Sequence, residues 1–286
     1  LFVSGVCPWA SGTRTARHLL GLEGIVSMDI ADGQSSAGWC FTKGVECSTF
    51  KDHAAPFYLH QIFQRSEPFC TTRITVPLLW DTHTETIVSD DSWGIIKMFA
   101  TSFAPLGNPS VDVFPDGLLP EDKAAEIEEV HGKLNKGLMN GVYRAGIGLL
   151  YGNKDGAAAA AEDVYATLAM IDEKLQTSRF LLGSHLTVVD IRLVMCLLRY
   201  DSSYRSAFNL RAGKGGVLIE TGYPAVQGYV REVYSMIKSE VDWPSFRQYY
   251  RWGPGQEKED PLPPLEPIIA SAELPHGREG IAHSAS

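Results

Sequence analysis

Basic charge, dense cysteine and long apolar runs are all scarce in this chain, and each shortage removes a class of function. Lys and Arg total 25 against 34 Asp and Glu in 286 residues, a formal net charge of −9. The basic footprint that nucleic acid requires is missing, so no nucleic-acid partner is expected. Cysteine is limited to an odd, scattered set of five: Cys7, Cys40, Cys47, Cys70 and Cys196. That is not the framework of a small secreted scaffold; it points to a reducing compartment, read here as the cytoplasm. Cys40 and Cys47 are spaced too widely for the usual zinc pair, and no metal is expected. No run of eighteen apolar residues occurs, so no membrane span is expected. An initiator Met is also lacking. Leu1-Phe2-Val3 already reads as a strand, so an upstream segment is expected, and a targeting sequence there is left open.

What is present suits a globule of two domains: 44% of residues are hydrophobic, enough for a sizeable core without staples. Residues 1–104 alternate short strands and helices. Leu1 to Val6 and Ile25 to Ile30 read as strands around a helix over Ser11 to Leu20. A Gly, Ser and Cys-rich loop and a helical patch at Phe57 to Gln64 follow. Ile74 to Trp80, interrupted by Pro77, and Glu85 to Ser89 read as a strand pair, closed by a helix over Ser92 to Phe103. Residues 105–120 are rich in Pro, Gly and Asp and read as a linker. Strand signals then vanish. Helical periodicity runs through Glu121 to Asn140, Ala157 to Gln176, Thr187 to Tyr200 and Ala225 to Lys238, making residues 121–252 an all-helical domain. Thr187 to Asp190 reads as a capping box. Residues 253–286 are dense in Pro and Glu and read as an extended tail.

Three features carry chemistry. Cys7 follows a strand and precedes a helix, with Pro8 in the first helical turn, where its missing N–H costs nothing. The sulfur then sits at the positive end of the helix dipole, which favours the nucleophilic thiolate. Arg14, Arg17 and His18 add positive field if they face back toward it. Second, Pro77 lies inside a strand pattern, where Pro is normally excluded; a cis Val76–Pro77 bond resolves the conflict and offers the Val76 backbone to an extended peptide. Third, Asp91-Ser92 opens a helix. It reads either as a simple cap or as a holder for the carboxylate and amine of an amino acid.

Together, Cys7-Pro8-Trp9-Ala10, Gly38-Trp39-Cys40-Phe41, Arg73 to Asp81, Asn140-Gly141-Val142-Tyr143 and Asp190-Ile191-Arg192-Leu193 resemble the glutathione transferase superfamily. Within it they resemble the Xi class, the glutathionyl-hydroquinone reductases, from about Leu1 to Trp252. The resemblance implies a thioredoxin-like domain followed by the all-helical transferase domain, with glutathione as co-substrate and a homodimer. It implies catalysis by Cys7, with Tyr143 and Tyr249 as proton donors or orienters. It places Trp39, Arg73, Val76, Pro77, Asp91 and Ser92 against glutathione. The implied partner is an aromatic glutathione conjugate or another quinone-derived small molecule.

Three departures set this chain apart from the family pattern. Ser11-Gly12-Thr13 stands where His-Arg-Thr is usual, Asp91-Ser92-Trp93 stands for Glu-Ser-Ser, and the family's Ser-His and Asn-Pro-Thr-Gly elements are missing from the Trp252 to Pro267 stretch. The expected activity is reductive removal of glutathione through a Cys7–glutathione mixed disulfide. Two alternatives stay open at this level: a specialised transferase or isomerase, and a binding protein with a vestigial glutathione site.

Overall fold

The computed structural model describes residues 1–109, 113–208, 210, 216–251, 264–278 and 281. The chain divides into two compact units, Leu1–Ser110 and Val111–Ser286. Part of the expected linker (residues 110–112) and much of the expected tail (253–263, 279–280 and 282–286) lie outside the described residues.

The first unit starts with β1 (Phe2–Ser4), every residue of which is buried; that is why Leu1-Phe2-Val3 is apolar without alternation. Helix α1 (Pro8–Leu19) leads to β2 (Asp29–Ala31), which pairs parallel with β1. Three short strands, β3 (Gly33–Ser35), β4 (Gly38–Phe41) and β5 (Phe57–Tyr58), form an antiparallel sheet; β3 and β4 fall where the sequence reads as a loop, and β5 at the start of the expected helical patch. Helix α2 (Leu59–Ser66) follows directly. The antiparallel pair β6 (Leu79–Asp81) and β7 (Thr86–Ser89) comes next. Phe2 and Leu78 exchange N–H···O bonds of 2.8 and 2.9 Å, which ties β1 to the chain entering β6 in antiparallel sense. Helix α3 (Ser92–Met98) runs into a π-helical turn, Phe99–Phe103, and packs on α1. An aromatic cluster fills the centre: Phe50 lies 5.2 Å from Trp80 and 5.3 Å from Phe57, centroid to centroid.

The second unit is helical throughout its described elements. These are α4 (Ala124–Leu134), α5 (Gly141–Leu150), α6 (Lys154–Thr177), α7 (Val188–Arg199), the short α8 (Arg205–Ala207) and α9 (Ile219–Gly222), then α10 (Pro224–Ile237), α11 (Trp243–Tyr250) and α12 (Leu265–Ala272). All twelve residues of α7 are buried, so it is the axis of the unit and apolar nearly all round. Its start is fixed by Asp190, which accepts from the N–H and hydroxyl of Thr187 at 2.9 Å each, from the Leu181 N–H at 2.9 Å and from the Tyr229 hydroxyl at 3.1 Å.

Two differences from the sequence reading stand out. Helix α5 forms over residues that carry no helical assignment in the sequence reading, across three glycines, and α12 forms inside the stretch expected to be extended. Beyond α12, Arg278 is 4% exposed. It donates to Glu232 and to the carbonyls of Leu175, Ser178, Arg179 and Ala225, capping the C-terminal end of α6. A guanidinium with that many acceptors binds its segment to α6 and α10 rather than leaving it loose.

Candidate active site

The first unit gathers its chemistry around Cys7, which is half-buried and is the N-cap of α1 with extended backbone angles, φ −82° and ψ 118°. The Ala10 N–H donates to Cys7 Sγ at 3.5 Å. Cys7 Sγ in turn donates to the Val76 carbonyl at 3.6 Å. The two contacts act oppositely: an N–H aimed at sulfur favours thiolate, whereas a carbonyl accepting from S–H favours thiol. Ionisation forfeits the second, longer contact and strengthens the first, because the helix N–H and dipole remain in place. Ser11, one of the departures from the family pattern, bonds backward through its hydroxyl to the Cys7 carbonyl at 2.9 Å and serves the cap.

Arg17 and His18 were expected to add positive field only if they face back toward Cys7. Both lie in the last turn of α1, at the end opposite Cys7. Arg17 is buried and donates to the Val26 carbonyl at 2.5 Å, and His18 pairs with Glu23 at 2.9 Å. The turn at Leu20 to Val26 needs those donors.

The Val76–Pro77 peptide bond is cis. Val76 is 4% exposed, and among the described residues its N–H has no hydrogen-bond acceptor. Trp39 is half-buried on β4, opposite Gln34 of β3, and Arg73 is exposed on the segment before the proline. Asp91 is exposed at the N-cap of α3, where its two oxygens accept from the Trp93 and Gly94 N–H groups at 3.2 and 2.9 Å. A Cβ on Gly94 would come within 2.9 Å of that carboxylate, so glycine there lets the cap close. Capping is thus present, yet a carboxylate with two backbone donors retains lone pairs for an ammonium. Trp93 is 8% exposed, with the Lys97 ammonium 5.6 Å from its ring centroid, so its bulk is spent on packing.

The second unit holds the phenols. Tyr143, half-buried on α5, has its hydroxyl 3.1 Å from that of Tyr204 and 2.5 Å from that of Tyr250. Tyr204 closes the π-helical turn Tyr200–Tyr204 that follows α7, and Tyr250 ends α11. The Tyr143 ring lies 5.2 Å from Phe208, and the Phe208 ring lies against Gly146, where a Cβ would be 2.1 Å away. Burial, first, and the neighbouring hydroxyls, second, push the Tyr143 phenol well above its ordinary range; burial does the same for Tyr204. These phenols hold their protons at neutral pH and can donate them.

Tyr249, the residue expected beside Tyr143 in function, is 46% exposed and touches Tyr250 edge-on at 5.0 Å. The phenol that meets Tyr143 belongs to its neighbour in sequence. Nothing in Gln248-Tyr249-Tyr250 separates the two tyrosines until the helix phase of α11 is known. The four-residue spacing of Tyr200 and Tyr204 could have flagged a tyrosine at that point, though not its partner. Among the described residues no group of three His, Cys, Asp or Glu side chains could hold a metal ion, and no helix is long and apolar enough to cross a membrane.

Against known proteins, the family model for the glutathione S-transferase C-terminal domain matches residues 154–232. The chain is 33% identical over 253 residues to glutathionyl-hydroquinone reductase YqjG of Escherichia coli K12, covering 87% of this chain and 73% of YqjG. It is 31% identical over 214 residues to glutathionyl-hydroquinone reductase PcpF of Sphingobium chlorophenolicum, covering 74% of this chain and 66% of PcpF. The glutathione-bound structure of YqjG superposes with a TM-score of 0.80 at 30% identity, covering 98% of this chain and 87% of that one. A Xi-class transferase from Natrialba magadii gives 0.80 at 30% identity, covering 97% and 81%.

Proposed function

The chain belongs to the glutathione transferase superfamily and, within it, to the Xi class of glutathionyl-hydroquinone reductases, and from that premise we propose that Cys7 reductively removes glutathione from glutathionyl-hydroquinones. The reaction has two steps. Cys7 thiolate attacks the glutathione sulfur of the conjugate; the sulfur–sulfur bond forms, the carbon–sulfur bond breaks, and its electron pair passes to the ring carbon. That carbon takes a proton, releasing the hydroquinone and leaving a Cys7–glutathione mixed disulfide. A second glutathione thiolate then attacks the mixed disulfide, giving glutathione disulfide and restoring Cys7 thiolate. The proton placed on carbon is balanced by the one lost from the second glutathione thiol. The ring is reduced by two electrons, and two glutathione sulfurs are oxidised to a disulfide.

The observation that carries this reading is the placement of Cys7 Sγ at a helix N-cap, 3.5 Å from the Ala10 N–H. That donor supports the thiolate, and attack on sulfur is what a thiolate does best. Glutathione is held by Val76 through its backbone, by Asp91 and Ser92 at the start of α3, and by Trp39 and Arg73. The peptide N–H of Val76 and the residual lone pairs of Asp91 favour this assignment. Tyr143 supplies the proton to carbon, Tyr249 is the second donor or orienter, and the Tyr250 hydroxyl adjoins that of Tyr143. The protein acts as a homodimer in a reducing compartment, where glutathione stays reduced.

Product analysis tests the reading. With a glutathionyl-hydroquinone and glutathione, hydroquinone and glutathione disulfide should accumulate in equal amounts. Cys7→Ser should lower kcat by at least about a thousandfold, the scale of losing a nucleophile. A stable new glutathione conjugate, or a Cys7→Ser variant of undiminished rate, overturns it.

A further inference from the structure

After α11 the chain returns to the second unit as a separately seated piece. Two of the eight residues of α12, Ser271 and Ala272, are buried, and both lie in its last turn. A helix of that length is not stable by itself in water, so its order comes from what it sits on. It packs on α10 and on the π-helical turn Tyr200–Tyr204. The fit beneath it is incomplete: a void of about 30 Å³ remains among Leu197, Leu198, Val230, Trp243 and Ile268. Apolar burial, which fixes the wholly buried α7, is therefore the smaller part of what holds this segment.

Polar anchors supply the rest. The Ser271 hydroxyl donates to Glu220 Oε1 of α9 at 2.7 Å and accepts from Gln227 Nε2 and Arg231 Nη2 of α10 at 3.0 and 3.2 Å. Arg231 Nε donates to the Ser271 carbonyl at 2.8 Å. Glu273 pairs with Lys238 at 2.5 Å, both side chains exposed. Arg278 lies buried between α10 and the end of α6, with Glu232 as counter-charge at 3.3 Å. Glu232 has a second cation, Arg179, at 2.5 Å, so it is not left bare when Arg278 withdraws. Gly228 of α10 shapes the seat. The three atoms nearest to a Cβ built there all belong to the segment: Arg278 Cδ and the His276 carbonyl oxygen at 3.1 Å, and Arg278 Cγ at 3.3 Å. Glycine inside a helix weakens it, and here the space it leaves is what the segment fills.

We infer that residues 264–278 form a latched strap, with Arg278 as the latch: docked, it braces the π-helical turn, and it undocks as one piece while the helices beneath stay folded. Segments with few buried apolar contacts open locally at a fraction of the free energy of global unfolding. Bracing matters to the chemistry because the turn carries Tyr204, whose hydroxyl lies 3.1 Å from that of Tyr143, the proposed proton donor. The docking claim stands by itself, and its effect on turnover rests on the function proposed above.

Amide hydrogen exchange read by mass spectrometry on the full chain tests it. In the wild type the hydrogen-bonded amides of the strap should exchange together, at least about a hundredfold faster than those of α7. Arg278→Ala should speed the strap a further tenfold to a hundredfold or so, the scale of lost charge-assisted hydrogen bonds, and leave α7 unchanged. Gly228→Leu puts a good helix former into α10 and fills the seat, so it should speed the strap while α10 keeps its protection. A wild-type strap as slow as α7, an Arg278→Ala variant that speeds α7 as much as the strap, or a strap unmoved by both substitutions overturns the inference. Arg278→Ala should also lower kcat for hydroquinone release by about tenfold to a hundredfold, the scale of a displaced reacting group. Its exchange of a small glutathionyl mixed disulfide, where no carbon needs a proton, should stay at the wild-type rate. An opened strap with unchanged kcat overturns the bracing role. A wild-type protein that exchanges disulfides yet releases no hydroquinone overturns the proposed function instead, and leaves the hydrogen-exchange result standing.

Discussion

At the scale of single residues, the helix start beside the Cys7 sulfur was readable and the surroundings of that sulfur only partly so. Cys7 announces itself because strand, cysteine and proline occur in an order that fixes a helix start beside sulfur. Arg17 and His18 were expected to help only if they faced Cys7, and both lie in the last turn of α1, at its far end. Tyr249 and Tyr250 are neighbours in sequence, about 100° apart around a helix, and it is packing with Tyr204 and Phe208 that brings the Tyr250 hydroxyl to Tyr143. Asp91 caps α3 and is proposed to hold an ammonium, two roles that substitution separates. Asp91→Asn keeps one oxygen for capping and removes the charge. It should leave unfolding stability within about 0.5 kcal/mol, since Asn caps about as well as Asp. Its KM for glutathione should rise about tenfold if an ammonium is lost as partner, at the scale of one charge-assisted hydrogen bond. Substrate-saturation curves for the variant decide this, and an unchanged KM would reduce Asp91 to a cap.

At the scale of elements, the long periodic helices were legible and the short or glycine-bearing ones were not. Strands β3, β4 and β5 hold two to four residues each, too few for alternation to show. Helix α5 carries Gly141, Gly146 and Gly148, which look like breakers in one dimension; Gly146 is needed because Phe208 occupies the space of its side chain. The capping box at α7 was legible, and its energetics carry a pH signature. Burial raises the Asp190 carboxyl to about 6 despite the hydrogen bonds it accepts. The unfolded chain titrates near about 3.9, so between the two values the folded protein binds a proton that the unfolded chain releases. The contribution is complete below about pH 4 and is lost as pH rises through about 6. Equilibrium unfolding of the wild type should therefore lose roughly 2–3 kcal/mol from this group between about pH 4 and about pH 7.5. In Asp190→Asn the difference between those two pH values should shrink by that amount, whatever the variant's own stability.

At the scale of the whole molecule, the order of elements followed from hydrophobic period. Strands and helices alternate through Ser110 and helices continue beyond it. What stayed hidden is long-range. Arg278 reaches back across about a hundred residues to the carbonyls of Leu175, Ser178 and Arg179, and Glu232 between Arg179 and Arg278 forms a buried ion cluster. No local pattern encodes such a contact, since composition near the C-terminus looks the same whether the segment is loose or anchored. The proposed nucleophile is on the first unit and the proposed proton donor on the second, so the intact chain is the right object for the decisive measurement. Intact-mass spectrometry should follow a single turnover of a glutathionyl-hydroquinone with no added glutathione. One glutathionyl group should appear on Cys7 in step with each hydroquinone released, and added glutathione should discharge it as glutathione disulfide. Hydroquinone released without that adduct, or an adduct mapped to Cys70 instead, would contradict the account.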